Sequence, residues 1–192
     1  MKLPDHERAT LPISTRDHRQ AVPLVRPRVR LLPRIPRRLD LVDPELLAIL
    51  RRLVEGHERW PLFLHGPPGT GKTCAALALC DISETAAYTT PEELCNRVMD
   101  ASTANSELWE WVGSKHLAIL DELGSRARVT DLPYMAVKDF ADARERAGNP
   151  ATIFISNLQP TGILKLYDDR VASRLLSGTI HHLIASDRRF DQ

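Results

Sequence analysis

Residues 66–73 read GPPGTGKT. The spacing fits G-x-x-x-x-G-K-[ST], a loop whose backbone N–H groups close around phosphate oxygens. Its flanks make it constraining. WPLFLHG before it is a short apolar run without helical period, the pattern of a buried strand. A helix is predicted from Lys72 to Cys80. In a strand–loop–helix unit the positive end of the helix also faces the loop. A glycine-rich turn with no ligand is the alternative. On the phosphate reading, Gly66, Pro67, Pro68, Gly69, Thr70, Gly71, Lys72, Thr73 and Cys74 form the cradle. Lys72 reaches the β- and γ-phosphates of ATP, and the Thr73 hydroxyl ligates Mg²⁺.

The rest of the chain fits a layered α/β sheet. DPELLAILRRLVEG reads as a helix with Asp43 as N-cap, Pro44 at its first position and Gly56 beyond its end. AAYTT, HLAILDE, ATIFISN and GTIHHLI read as four further strands. Between them, TPEELCNRVM carries a Thr90/Glu93 capping-box spacing with Pro91, SELWEWV reads as a short helix, and LPYMAVKDFADARERAG is a helix ended by Gly148. Alternating helices and apolar strands predict a five-stranded parallel sheet covered on both faces, a three-layer αβα arrangement.

Two more strand ends carry chemistry. HLAILDELG ends an apolar strand in Asp121–Glu122. After such a loop, Asp121 is placed to hold Mg²⁺ through its water shell and Glu122 to orient or deprotonate an attacking water. Two acids capping a loop are the plain alternative. TIFISN ends in Asn157, an amide placed to hold that water and feel the γ-phosphate, or simply a turn-forming Asn. DDRVASRLLSG then places Arg170 and Arg174 four apart on one helical face, where like charges repel slightly. Either they face an anion, or they pair with acids such as Asp168 and Asp169.

The order GPPGTGKT, Asp-Glu, Asn, Arg resembles the AAA+ P-loop ATPases. The resemblance implies a base domain in which Asn157 is sensor 1 and Arg174 an arginine finger reaching the nucleotide of a neighbouring subunit. Arg170 would support it or touch phosphate. FLHGPPGTGKT, LAILDELG, FISNL, DDRVASRLLSGT and SDRR are similar to the DnaC-type helicase loaders and IstB-type transposition ATPases over about two-thirds of the chain. Implied partners are a second copy or a related AAA+ subunit, DNA (single-stranded in the first instance), and a replicative helicase or transposase. The expected activity is Mg²⁺-dependent ATP hydrolysis in DNA replication. Rival readings are an IstB-like regulator of a transposase, a small-molecule kinase with Arg126 and Arg128 as lid, and a non-hydrolysing adaptor. No helical lid is expected after the fifth strand, leaving Arg188 and Arg189 as late nucleotide-facing candidates. Trp109, Trp111, His181 and His182 read as structural.

Composition sharpens the partner question. Among 192 residues, the net charge of +1 hides an uneven distribution. Residues 1–39 hold ten Lys/Arg against three Asp/Glu, and the remainder sixteen against twenty-two. The first segment, rich in Pro and Arg, reads as an extended arm suited to an acidic partner or a phosphate backbone, ahead of an ATPase domain over 40–192. Its arginines have no interleaved aromatics, so base stacking is not supported. The three cysteines form no C-x-x-C pair and read as reduced thiols of a cytoplasmic protein. The start has no apolar signal core and no run approaches a membrane span.

Overall fold

The computed structural model describes residues 42–100, 105–125, 128–148 and 150–184. The arm expected over 1–39, the boundary at 40, Arg126, Arg188 and Arg189 lie outside these residues. The first helix, α1 (Pro44–Val54), starts as its sequence dictates. Asp43 accepts from the backbone N–H of Glu45 and Leu46, and Pro44 occupies the first turn. Leu46, Ile49, Leu50 and Leu53 recur at helical spacing and are all buried.

Then come β1 (Leu62–His65), α2 (Lys72–Ile82), β2 (Ala86–Thr89), α3 (Pro91–Met99) and α4 (Asn105–Gly113). They are followed by β3 (Leu117–Leu123), α5 (Asp131–Arg146), β4 (Ala151–Ser156), α6 (Pro160–Leu166), α7 (Asp169–Leu175) and β5 (Thr179–His182). Thr90 caps α3 by accepting from the Glu93 N–H at 3.2 Å. Two details differ from expectation. The helix after the loop runs on to Ile82 rather than stopping at Cys80. In addition a short helix not expected from the sequence, α6, opens on Pro160 and tolerates Gly162 in its interior.

The five strands form one sheet, all parallel, in the order β2-β3-β4-β1-β5. Alternation along each strand sorts the core into two layers. Leu62, Leu64, Ile119, Ile153 and Ile155 pack under α1 and α2. Phe63, Ala118, Leu120 and Phe154 pack under α3, α4, α5 and α7. The αβα architecture read from the sequence is therefore the observed one.

The strand order decides where chemistry can occur. β4 lies between β1 and β3, so its end stands between the loop after β1 and the acids of β3. The register aligns His65 with Ser156, and Ser156 with Leu123. Parallel strands end together, and ligands of such sheets bind outside those carboxyl ends.

Between Leu120 and Leu123, β3 has one residue more than β4 opposite it, a β-bulge. Within it Glu122 adopts φ 61°. A non-glycine residue there costs on the order of 1–3 kcal/mol, and bulges next to reactive sites re-aim side chains.

Candidate nucleotide site

The loop from Gly66 to Thr73 leaves the end of β1 and turns directly into α2. Gly69 and Gly71 take φ 81° and 96°, which allows the turn without a Cβ clash. Gly66 is fixed by space as well: a Cβ there would meet the Leu183 carbonyl oxygen at 2.2 Å. That carbonyl lies one residue beyond β5, the strand next to β1, where the Leu183 N–H donates to His65 O at 2.8 Å. Thr70 braces the loop, its hydroxyl donating to Pro67 O at 3.0 Å. The Lys72 ammonium lies inside, donating to the carbonyls of Gly66 and Pro67 at 2.7 Å each. Pro67 and Pro68 face solvent, while Gly69 and Cys74 are half-buried.

The loop and the β3 acids meet. Thr73 Oγ1 donates to Asp121 Oδ2 at 2.6 Å, joining residues 48 apart in sequence. The hydroxyl proton is spent on the carboxylate, which leaves the hydroxyl oxygen's lone pairs for a cation. Asp121 is 4% exposed. Its Oδ1 accepts the Glu122 N–H at 2.6 Å, and its Oδ2 also accepts from the Tyr88 hydroxyl at 3.0 Å. Burial first, and the Asp121 charge second, push the Tyr88 phenol far above its usual range, so it stays protonated as a donor. Glu122, adjacent, is exposed. Hydroxyl and carboxylate are the hard oxygen donors that Mg²⁺ takes.

Asn157 is exposed one residue beyond β4. Ser156 holds that turn: its hydroxyl donates to Leu123 O at 2.6 Å and accepts the Leu158 N–H at 3.0 Å. Lys72, Thr73, Asp121, Glu122 and Asn157 thus share one end of the sheet.

Arg174 and Arg170 are elsewhere. Arg174 Nε contacts Glu145 Oε2 at 2.6 Å and Asp142 Oδ1 at 3.1 Å, both on α5. Those acids, rather than Asp168 and Asp169, are its partners. Hydrogen bonding to Glu145 raises its pKa further, so it remains charged. Asp168 instead caps α7, accepting the Val171 N–H at 2.8 Å and the Tyr134 hydroxyl at 2.7 Å. Arg170 is exposed one turn before Arg174. Arg174 lines a cleft of about 240 Å³ with Pro61, Thr152 and Ser177. Pro61 and Thr152 lie where β1 and β4 begin. At a rise of about 3.3 Å per residue, the length of β4 alone separates these ends by roughly 17 Å. Arg174 is out of reach of its own loop.

The remaining candidates divide. Trp109 and Trp111 pack against the core, and Trp111 also lies under Arg97 and Lys115 at 5.7 and 4.9 Å. His181 is buried, whereas His182 is exposed and stacks on His65 at 4.6 Å. Arg128 is exposed. No disulfide joins the three cysteines. Among the described residues, no helix is long and apolar enough to cross a membrane.

His65, unremarked in the sequence reading, has a consequence for stability. Its Nδ1 and the Nε2 of His181 are buried without hydrogen-bond partners among the described residues. Burial, then the nearby charges of His182, His181 and Lys72, hold His65 below the usual imidazole range; burial does the same to His181. The unfolded chain takes up these protons near pH 6.5 and the folded chain only at lower pH. Stability is therefore full above the unfolded value and lost as pH falls through the folded ones. The melting temperature is expected to drop between about pH 7.5 and about pH 5.5, and to drop less in His65→Phe. An unchanged drop in that variant would remove His65 from the account.

Taken together, the sheet order, the loop and the facing acids define a P-loop nucleoside-triphosphatase fold. Solved DnaA and DnaC structures share this fold, which is the one that the sequence resemblance implied. The chain is similar to a replication initiator DnaA bound to AMPPCP and single-stranded DNA, with TM-score 0.65 and 16% identity over 74% of this chain and 46% of that one. It is similar to DnaI, with TM-score 0.60 and 21% identity over 83% and 95%. It is also similar to the DnaC helicase loader, with TM-score 0.59 and 20% identity over 77% and 96%. The chain spans about half of the DnaA structures it matches. No protein-family model matches the sequence, and no curated protein matches it.

Proposed function

We propose that the chain is an AAA+ ATPase that binds Mg²⁺–ATP, hydrolyses it and acts as a helicase-loader-like factor in DNA replication. The observation that carries this is the Thr73–Asp121 hydrogen bond of 2.6 Å, which brings the loop's hydroxyl and the β3 carboxylate into one oxygen pair. Thr73 and Asp121 would hold the Mg²⁺, which neutralises phosphate charge when bound. The loop N–H groups cradle phosphate, and Lys72 exchanges its carbonyl partners for phosphate oxygens. Glu122 orients the attacking water and accepts its proton, and Asn157 holds that water in line. Arg174, too far from its own loop, serves the site of a neighbouring copy, with Arg170 beside it.

Structural likeness to an initiator bound to AMPPCP and single-stranded DNA, to DnaI and to the DnaC helicase loader supports this reading over the transposition helper and the kinase. On it, residues 40–192 are the ATPase domain of a cytoplasmic protein. Residues 1–39 form a basic arm for DNA or for an acidic surface of the helicase.

The test is phosphate release against protein concentration, with and without single-stranded DNA. Turnover per subunit is expected to rise with concentration and with DNA. Lys72→Ala is expected to lower it by roughly 10²-fold or more. Transfer of labelled γ-phosphate to a small acceptor in place of water would replace this reading with a kinase.

A further inference from the structure

Tyr88 is the last residue but one of β2, outside the phosphate loop and the β3 acids. Its ring is 8% exposed within the layer under α1 and α2. Its hydroxyl alone reaches the reactive end of the sheet, donating to Asp121 Oδ2 at 3.0 Å. The contact spans 33 residues of sequence and exists because β2 and β3 are neighbours, with Tyr88 in register with Ile119. Tyr88 and Asp121 therefore approach from two adjacent parallel strands.

Asp121 sits at the start of a bulge, where the strand ladder no longer fixes the backbone as tightly. Its carboxylate is held by three donors from three directions: the Glu122 N–H on Oδ1, and the Thr73 and Tyr88 hydroxyls on Oδ2. Thr73 stands half-buried in the first turn of α2, and Glu122 is exposed in the bulge. Of the three donor residues only Tyr88 is buried, its ring packed in the core on a side chain with few alternative rotamers.

We propose that Tyr88 is a positioning residue for the divalent cation: it locks the Asp121 carboxylate in the orientation that receives the ion. The inference rests on the proposed nucleotide site and adds a residue to it. Second-partner hydrogen bonds of this kind orient a carboxylate and tune its affinity for metal.

The experiment is Mn²⁺ binding by electron paramagnetic resonance in the presence of ADP, alongside fluorescent-ADP binding without metal, for wild type and Tyr88→Phe. Tyr88→Phe is expected to weaken Mn²⁺ binding by roughly 10-fold and to leave metal-free nucleotide binding as in wild type. In an Asp121→Asn background the same substitution is expected to add nothing. Equal Mn²⁺ affinity in wild type and Tyr88→Phe overturns the inference. Failure of wild type to bind nucleotide overturns instead the site reading on which it rests. Should Tyr88→Phe fail to fold, ¹³Cζ-tyrosine spectra of wild type decide. The chain has three tyrosines, and the Tyr88 resonance is assigned by removing Tyr134 and Tyr167 singly. That resonance must shift when Mg²⁺ joins bound ADP, and a static resonance overturns the inference.

Discussion

Arg174→Ala is expected to cut the ATPase rate of the assembled protein by on the order of 10³-fold while leaving nucleotide affinity nearly unchanged. An arginine directed at charge developing on the γ-phosphate acts on the transition state far more than on ground-state binding. Arg174 is paired with Glu145 and Asp142 at the end of the sheet opposite the loop. Its loss therefore removes nothing from the chain's own nucleotide site. Mixing decides between a defect in cis and one in trans. Arg174→Ala subunits keep an intact site, and Glu122→Gln subunits keep an intact arginine. A mixture of the two is expected to turn over although neither does alone. Undiminished activity in Arg174→Ala at every protein concentration would remove the arginine from the mechanism. The α5 pair makes a side effect small: the contact is partly exposed, and such ion pairs contribute about 0–1 kcal/mol.

The second large effect concerns the fold. Arg144 is 2% exposed, and its hydrogen-bond partners among the described residues are carbonyl and hydroxyl oxygens, with no carboxylate. Its guanidinium donates to the carbonyls of Val112, Lys115 and Ala151 at 2.7–2.9 Å, with Gly113 O at 3.4 Å and Thr152 Oγ1 at 2.9 Å. These are the end of α4, the turn into β3 and the start of β4. Burial lowers the guanidinium pKa to about 10, still well above neutrality. Arg144→Ala leaves several buried carbonyls without donors and opens a cavity in the αβα core. A loss of about 3–5 kcal/mol is expected. For a domain of this size that lowers Tm by roughly 6–20 °C. Arg144→Lys is expected to recover little, because one ammonium cannot reach acceptors spread across a planar fork. A Tm within a degree or two of wild type in Arg144→Ala would show that water replaces the guanidinium.

What could be read ahead of the structure was local. Asp43 with Pro44, and Thr90 with Pro91, announce helices because a cap bonds to residues two or three positions away. The loop and the acids of β3 were legible because each lies within one strand end. Pairings between distant segments were not. Nothing near Tyr88 says that β3 lies beside β2, and nothing near Arg174 says that α5 supplies its acids. The bulge at Asp121–Glu122 depends on hydrogen-bond register with β4, which alternation within one strand does not encode. Helix α6 was missed for a smaller reason: Gly162 lies inside seven residues that Pro160 opens, and so short an element has little periodicity to detect.

The loop and Arg174 occupy opposite ends of one sheet, so on the proposed role of Arg174 each subunit would have a giving end and a receiving end. Copies joined through unlike ends associate head to tail, and such contacts close into a ring or continue as an open helix. In an open row of that kind every junction would complete one site. One terminal subunit then holds nucleotide with no arginine to serve it, and the other extends an arginine to nothing. Activity per subunit would grow with the length of the row and level off. The terminal site that cannot fire would be the natural place for nucleotide to persist and for the row to start or stop.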